Sequence, residues 1–130
     1  MNENEIAKIV VDAAFKVHSK LGPGLLESAY QAILTYELKQ RGLSIEAEIP
    51  MPLKYDGITL DIGYRADIIV NHLVIIELKS VEKMSDVHKK QLLTYLRVSN
   101  LHLGLLINFG APLIKDGITR VVNGLTDQAI

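Results

Sequence analysis

The apolar rhythm of this chain changes once, just after Gly42, and that change restricts it to a mixed α/β fold. Before Gly42 apolar side chains return every three or four residues; from Ile45 they return every second residue. In residues 5–21, Ile6, Ile9, Val10, Ala13, Val17 and Leu21 share one helical face. Asn2 and Glu5 have the spacing of a capping box, and Gly22-Pro23 supplies a stop. A second helix is predicted over residues 25–41, ended by Gly42. Its apolar arc carries Leu26, Ala29, Tyr30, Ile33, Leu34 and Leu38.

Beyond the switch, Ile45, Ala47, Ile49, Met51, Leu53 and Tyr55 alternate with polar residues or proline. This is a half-buried strand, and Pro50 and Pro52 point to a sheet edge or an irregular ladder. Asp56-Gly57 is a hairpin signal leading into a strand at 58–62. Further strands are predicted at 64–70 and 74–80, joined around Asn71-His72. Ser85 caps a helix that runs to about residue 98. Residues 101–108 form a mostly apolar run, the mark of a strand buried on both faces, and residues 118–122 add a last strand. No linker or repeat intervenes, so residues 1–130 are expected to form one domain, an α/β sandwich around one mixed sheet.

Composition narrows the chemistry. The chain has no cysteine, so a metal would need oxygen or histidine ligands. The stretch MNENEIAKIV has no basic segment followed by an apolar one, and runs such as LVIIEL are too short for a membrane span. The expected location is the cytoplasm, with no membrane partner. A formal net charge of -1 lacks the basic surplus of a protein that coats nucleic acid.

The informative segment is RADIIVNHLVIIELKS. Asp67 lies inside one apolar strand, and Glu77 and Lys79 lie in the next, where charge is costly unless something pairs with it. Glu77 and Lys79 are two apart and point to one face of their strand. Two carboxylates meeting there need a cation, and a hard divalent ion such as Mg2+ or Mn2+ prefers carboxylate and water oxygens. Such an ion activates a water against a phosphodiester, with Lys79 placed to orient the water or neutralise developing charge.

Parity tests this reading. A strict two-residue turn at Asn71-His72 would set Asp67 opposite Ile76 and send Glu77 to the other face. Convergence requires an odd loop, Asn71-His72-Leu73, or a bulge, so that Asp67 opposes Glu77 and Arg65 lies near Lys79. The competing reading is an ordinary ion pair of Asp67 with Lys79 at a sheet rim.

The segments GPGLLESAY, YRADIIV, VIIELKS, HKKQLLTYL and LGLLINFG occur in order over roughly residues 5 to 110. Together they resemble the GxxExxY proteins, a family of the PD-(D/E)XK nuclease superfamily, with Gly24, Glu27 and Tyr30 at the signature positions. The resemblance implies a restriction-endonuclease-like αβββαβ core with a mixed central sheet flanked by helices. It also implies a nuclease that uses Mg2+ or Mn2+ on nucleic acid, with DNA favoured by analogy. It places the superfamily's acidic helix residue at Glu27, the metal-binding aspartate at Asp67 and the E-x-K pair at Glu77 and Lys79. Gln91 and Tyr95 match a Q-x-x-x-Y pattern of the following helix. Asp67, Glu77 and Glu27 are the implied metal ligands, and Gln91 supports the site.

The residues themselves agree in part. On a helical wheel Glu27 projects from an apolar flank, although a carboxylate at a helix N-terminus is also favoured by the dipole alone. Gln91 and Tyr95 are four apart on one helix face, as a phosphate-facing pair or as a hydrogen-bonded pair closing the core. Lys83, Lys90 and Arg97 recur every seven residues with Lys89 beside them, a stripe that suits a phosphate backbone or simply a solvated face. The four histidines show no ligand spacing. A homodimer presenting two sites would suit a chain this small. The rival function is a partner-binding module that keeps a nuclease-like fold without catalysis. The near-neutral charge favours it; retention of costly buried charges opposes it.

Overall fold

The computed structural model describes residues 1–125, except for the side chain of Ile62. Helix α1 (Glu3–Leu21) begins with the expected capping box: the Glu5 amide donates to Asn2 and the Asn2 amide to Glu5. It buries Ile6, Val10, Ala13 and Val17. Helix α2 (Glu27–Gln40) buries Tyr30, Leu34 and Leu38 and ends at Gly42, whose φ of 85° the missing Cβ permits. It starts later than expected. Leu26, assigned to the apolar arc, is its N-cap and is 77% exposed.

The remaining elements are β1 (Ile45–Tyr55), β2 (Ile58–Val70), β3 (Val74–Lys79), α3 (Asp86–Ser99), β4 (Leu103–Asn108), α4 (Ile114–Gly117) and β5 (Ile118–Val122). The strands form one sheet in the order β1-β2-β3-β4-β5, parallel only between β3 and β4. A parallel pair needs a long crossover, and α3 supplies it. The architecture is therefore the expected αβββαβ core, a mixed sheet with helices on both faces. The two strands expected at 58–62 and 64–70 are one. Gly63 lies so close to β1 that a Cβ there would come within 2.0 Å of the Met51 carbonyl oxygen, and a register shift between Met51 and Leu53 absorbs the irregularity.

Helices α1 and α2 cover one face, packing on Ile68, Val70, Val74, Ile76, Leu78, Leu103 and Leu105. Leu92 and Leu96 of α3 cover the other face, against Ala66, Ile69, Ile75, Leu106 and Val121. Along β2, Ala66 packs on the α3 side while Ile68 and Val70 pack on the opposite side, so strict alternation breaks between them. The same break occurs on β1: Ile45 faces α1 and α2, whereas Ile49 and Met51 face α3. The register on either side sets Glu48 opposite Asp67 at this break, and Glu48 has a φ of 56°. Both strands turn over at that one pair. No helix among the described residues is long and apolar enough to cross a membrane.

Candidate active site

The turn between β2 and β3 sets the geometry of the acids. Asn71 and His72 both take left-handed backbones, with φ of 50° and 58°, and the Leu73 amide closes the turn on the Val70 carbonyl at 2.9 Å. Leu73 is then one residue extra, so Val70 pairs with Val74 and Ile68 with Ile76. Continuing this register sets Asp67 against Glu77. The odd loop demanded by parity is present.

The backbone ladder of β2 and β3 ends at Ile68 and Ile76, and side chains continue it. The Leu78 amide donates to Asp67 Oδ2 at 2.8 Å, and the Asp67 amide lies close enough to the Glu77 carboxyl to lower its pKa. Burial pushes the Asp67 carboxyl above its ordinary range against the lowering effect of the Leu78 amide, and the Glu48 charge adds to the rise. Burial pushes Glu77 up to about 7, although the Asp67 amide and the Lys79 charge pull the other way. Glu77 Oε1 is buried without a hydrogen-bond partner among the described residues. Lys79 acts electrostatically on Glu27, Asp67 and Glu77, but makes no direct ion pair among the described residues. The rim ion pair of Asp67 with Lys79 is thus not what the structure contains. Arg65, expected beside Lys79, donates to the Glu48 carbonyl at 2.9 Å.

Glu27 is the first residue of α2, and the loop that aims it is tied down twice. The Tyr30 hydroxyl accepts from the Leu25 amide at 3.1 Å and donates to the Gly22 carbonyl. Ser80 Oγ, at the end of β3, donates to the Leu25 carbonyl at 2.8 Å. Tyr30 is itself fixed by stacking on Phe109, with ring centroids 4.5 Å apart. This gives the spacing of Gly24, Glu27 and Tyr30 a physical meaning: the tyrosine holds the turn that presents the glutamate. Burial raises the Glu27 pKa, Lys79 lowers it, and Asp67 and Glu48 raise it further.

The chain following Lys79 is clamped by Asn108. Its amide mimics a strand edge, accepting from Val81 and Gly110 at 3.0 and 2.9 Å and donating to the Val81 carbonyl at 2.9 Å. A Cβ at Gly110 would sit 2.4 Å from the Val81 carbonyl oxygen, so only glycine admits this approach.

Two residues of this region are not marked by the motifs of the sequence. Gln31, one turn beyond Glu27, donates to Glu48 Oε1 at 2.9 Å. Glu48 in turn acts electrostatically on Glu27, Asp67 and Glu77. The spacing of Gln31 from Glu27 is a usable signal; nothing in the sequence points to Glu48.

Other expected participants lie on or before α3. Gln91 is exposed and makes no side-chain hydrogen bond to the acids among the described residues. Tyr95 is half-buried and stacks on Tyr64. Lys89, Lys90 and Arg97 are exposed on the helix, but Lys83 precedes it, so the helical stripe is shorter than the seven-residue spacing implied.

Asp67 and Glu77 have the chemistry to hold a hard cation, and Glu27 stands close enough to interact with them electrostatically. No three acidic or histidine side chains among the described residues already form a ligand group. Mg2+ does not demand one, since it commonly binds through one or two carboxylates and keeps several waters. A concavity of about 640 Å³ lies elsewhere, between Lys16, Lys20 and Leu21 of α1 and Tyr36 of α2.

A family model of the PD-(D/E)XK nuclease superfamily matches residues 4–121. The chain belongs to that superfamily. No curated protein and no solved structure matches the chain. The letters Ala66-Asp67 and Glu77-Leu78-Lys79 can be laid on the superfamily's name, with alanine where the name has proline. Ala66 is fully buried on the α3 side, in the strand segment that turns over at Asp67.

Proposed function

We propose that this protein is a nuclease dependent on Mg2+ or Mn2+, hydrolysing phosphodiester bonds of nucleic acid, with DNA favoured by membership of the superfamily. The observation that carries the reading is the juxtaposition of Asp67 and Glu77 where β2 and β3 part, beside Lys79, with Glu77 Oε1 buried and unpartnered among the described residues. Three carboxyls whose pKa values are raised by burial fit a missing positive charge. Asp67 and Glu77 would hold the ion, with Glu27 beside them. A divalent ion bound there would polarise the phosphodiester and lower the pKa of a water.

The protein's own groups do the rest. Lys79, two residues before the Val81 backbone that Asn108 clamps, orients the attacking water or neutralises charge developing on the phosphate. Tyr30 and Ser80 keep Glu27 facing the pair. Gln91, Tyr95, Lys83, Lys89, Lys90 and Arg97 are the groups on and before α3 that could steer or contact the nucleic-acid backbone. The formal net charge of -1 favours a second reading, a binding module without catalysis.

One experiment separates them. Plasmid DNA, single-stranded DNA and RNA are incubated with purified protein in Mg2+, Mn2+ or EDTA, beside the Asp67→Asn and Lys79→Ala variants. The nuclease reading expects metal-dependent cleavage that both variants lose while keeping their fold. Equal cleavage by wild type and Asp67→Asn, or none on any substrate, leaves the binding module.

A further inference from the structure

Glu48 is an unusual residue for an edge strand. Regular alternation along β1 would give it the same outward direction as Glu46, yet its backbone is left-handed, with a φ of 56°, where non-glycine residues are uncommon. The turn occurs opposite Asp67, where both strands change face. Two contacts from separate elements hold it: Gln31 of α2 donates to its carboxylate at 2.9 Å, and Arg65 of β2 donates to its carbonyl at 2.9 Å. Gln31 follows Glu27 by one helical turn, so both side chains leave α2 on one face. Glu48 remains an exposed residue. Both it and Lys79 act electrostatically on each of Glu27, Asp67 and Glu77.

We infer that Glu48, oriented by Gln31, is a further acidic positioning residue of this centre, strengthening its hold on a hard divalent cation and its water shell. This rests on the metal-dependent reading above. Nothing in the fold requires a carboxylate at residue 48: no ion pair uses it among the described residues, and asparagine or glycine would take the left-handed backbone more readily. A carboxylate there is explained by a cation. Outer carboxylates that orient metal ligands or bound water typically change affinity by about 10- to 100-fold when removed.

The test is Mn2+ binding to the whole chain, measured by calorimetry and by the paramagnetic signal of free Mn2+, independently of cleavage. Wild type, Asp67→Asn, Glu48→Gln, Gln31→Ala and the Glu48→Gln/Gln31→Ala pair are compared, with thermal unfolding in EDTA as the check on folding. Glu48→Gln preserves size and hydrogen bonding and removes only charge. It should weaken Mn2+ binding by roughly tenfold, and Gln31→Ala by roughly threefold. The double variant should bind no more weakly than Glu48→Gln alone, because Gln31 acts through Glu48. Glu48→Gln binding Mn2+ as tightly as wild type, while Asp67→Asn does not, overturns this inference and leaves the metal centre standing. Wild type that fails to bind Mn2+ overturns both.

Discussion

Asp67 and Glu77 stand side by side where the β2–β3 ladder ends: the Leu78 amide donates to Asp67 Oδ2 at 2.8 Å, and the Asp67 amide lies close enough to Glu77 to lower its pKa. The Asp67 side chain thereby takes the place of a ladder acceptor. It is a structural and a chemical group at once, and substitutions can separate the two roles.

Asp67→Asn keeps an oxygen for the Leu78 amide and should unfold within a few degrees of wild type, while divalent-cation binding and any cleavage are abolished. Asp67→Ala leaves that amide without its acceptor and should cost a further 1–3 kcal/mol or so. Thermal unfolding in EDTA reads the difference. If the two variants prove equally stable, the hydrogen bond does not matter to the fold.

Glu77 makes the metal-free protein less stable as pH rises. Its pKa is about 7 in the folded chain against an ordinary 4.5, so the folded state retains a proton that the unfolded state has released. Below pH 4.5 both states are protonated and the group contributes nothing. The penalty grows between the two values and is complete above 7. Glu77→Gln should therefore stabilise the EDTA-treated protein at pH 8 by roughly 1–3 kcal/mol and have little effect at pH 4.5. Mn2+ at pH 8 should raise the melting temperature of wild type and not of the variant. A Glu77→Gln gain that is flat across this range would show that burial of its charge is not the cause.

Tyr30→Phe preserves the stack on Phe109 and removes only the hydroxyl that holds the Gly22 carbonyl and the Leu25 amide. The destabilisation should be about 1–2 kcal/mol. Because the loosened turn presents Glu27, cation affinity and cleavage should fall by more than stability alone explains. Ser80→Ala, which removes the second tie on the same loop, should act in the same direction. An altered melting temperature with unchanged Mn2+ affinity would confine both residues to the fold.

How much of this is legible in the sequence follows from where the physics is local. The change of period after Gly42 reveals the two helices and the sheet. Charges embedded in apolar strands single out Asp67, Glu77 and Lys79, and parity alone requires the extra residue that Leu73 supplies. What stays hidden depends on tertiary contact. Glu46 and Glu48 look alike in an alternating strand, and only the turnover opposite Asp67 distinguishes them. Tyr30 looks like one more member of an apolar arc because its hydroxyl finds partners only in the folded loop. Asn108 ends an apolar run, with nothing to announce that it clamps Val81. Gly63 reads as a break between strands, although β2 continues through it because Met51 approaches too closely for any side chain.

Salt dependence examines the basic residues of α3. Lys89, Lys90 and Arg97 are exposed on the helix, whereas Lys83 lies before it. Each side chain that neutralises a phosphate releases condensed counterions, so log affinity for duplex DNA falls with log salt by about 0.9 per phosphate neutralised. With cleavage blocked by Asp67→Asn, binding is measured by fluorescence anisotropy between low and moderate salt. Replacing Lys89, Lys90 and Arg97 together by alanine should lower the magnitude of that slope by about two to three, close to one for each cation removed. The weakening should be similar for different DNA sequences, because groups that touch only phosphates read no base information. A slope unchanged by the triple substitution would mean that these residues form only a solvated helix face, and that the nucleic acid approaches the acids from another side of the sheet.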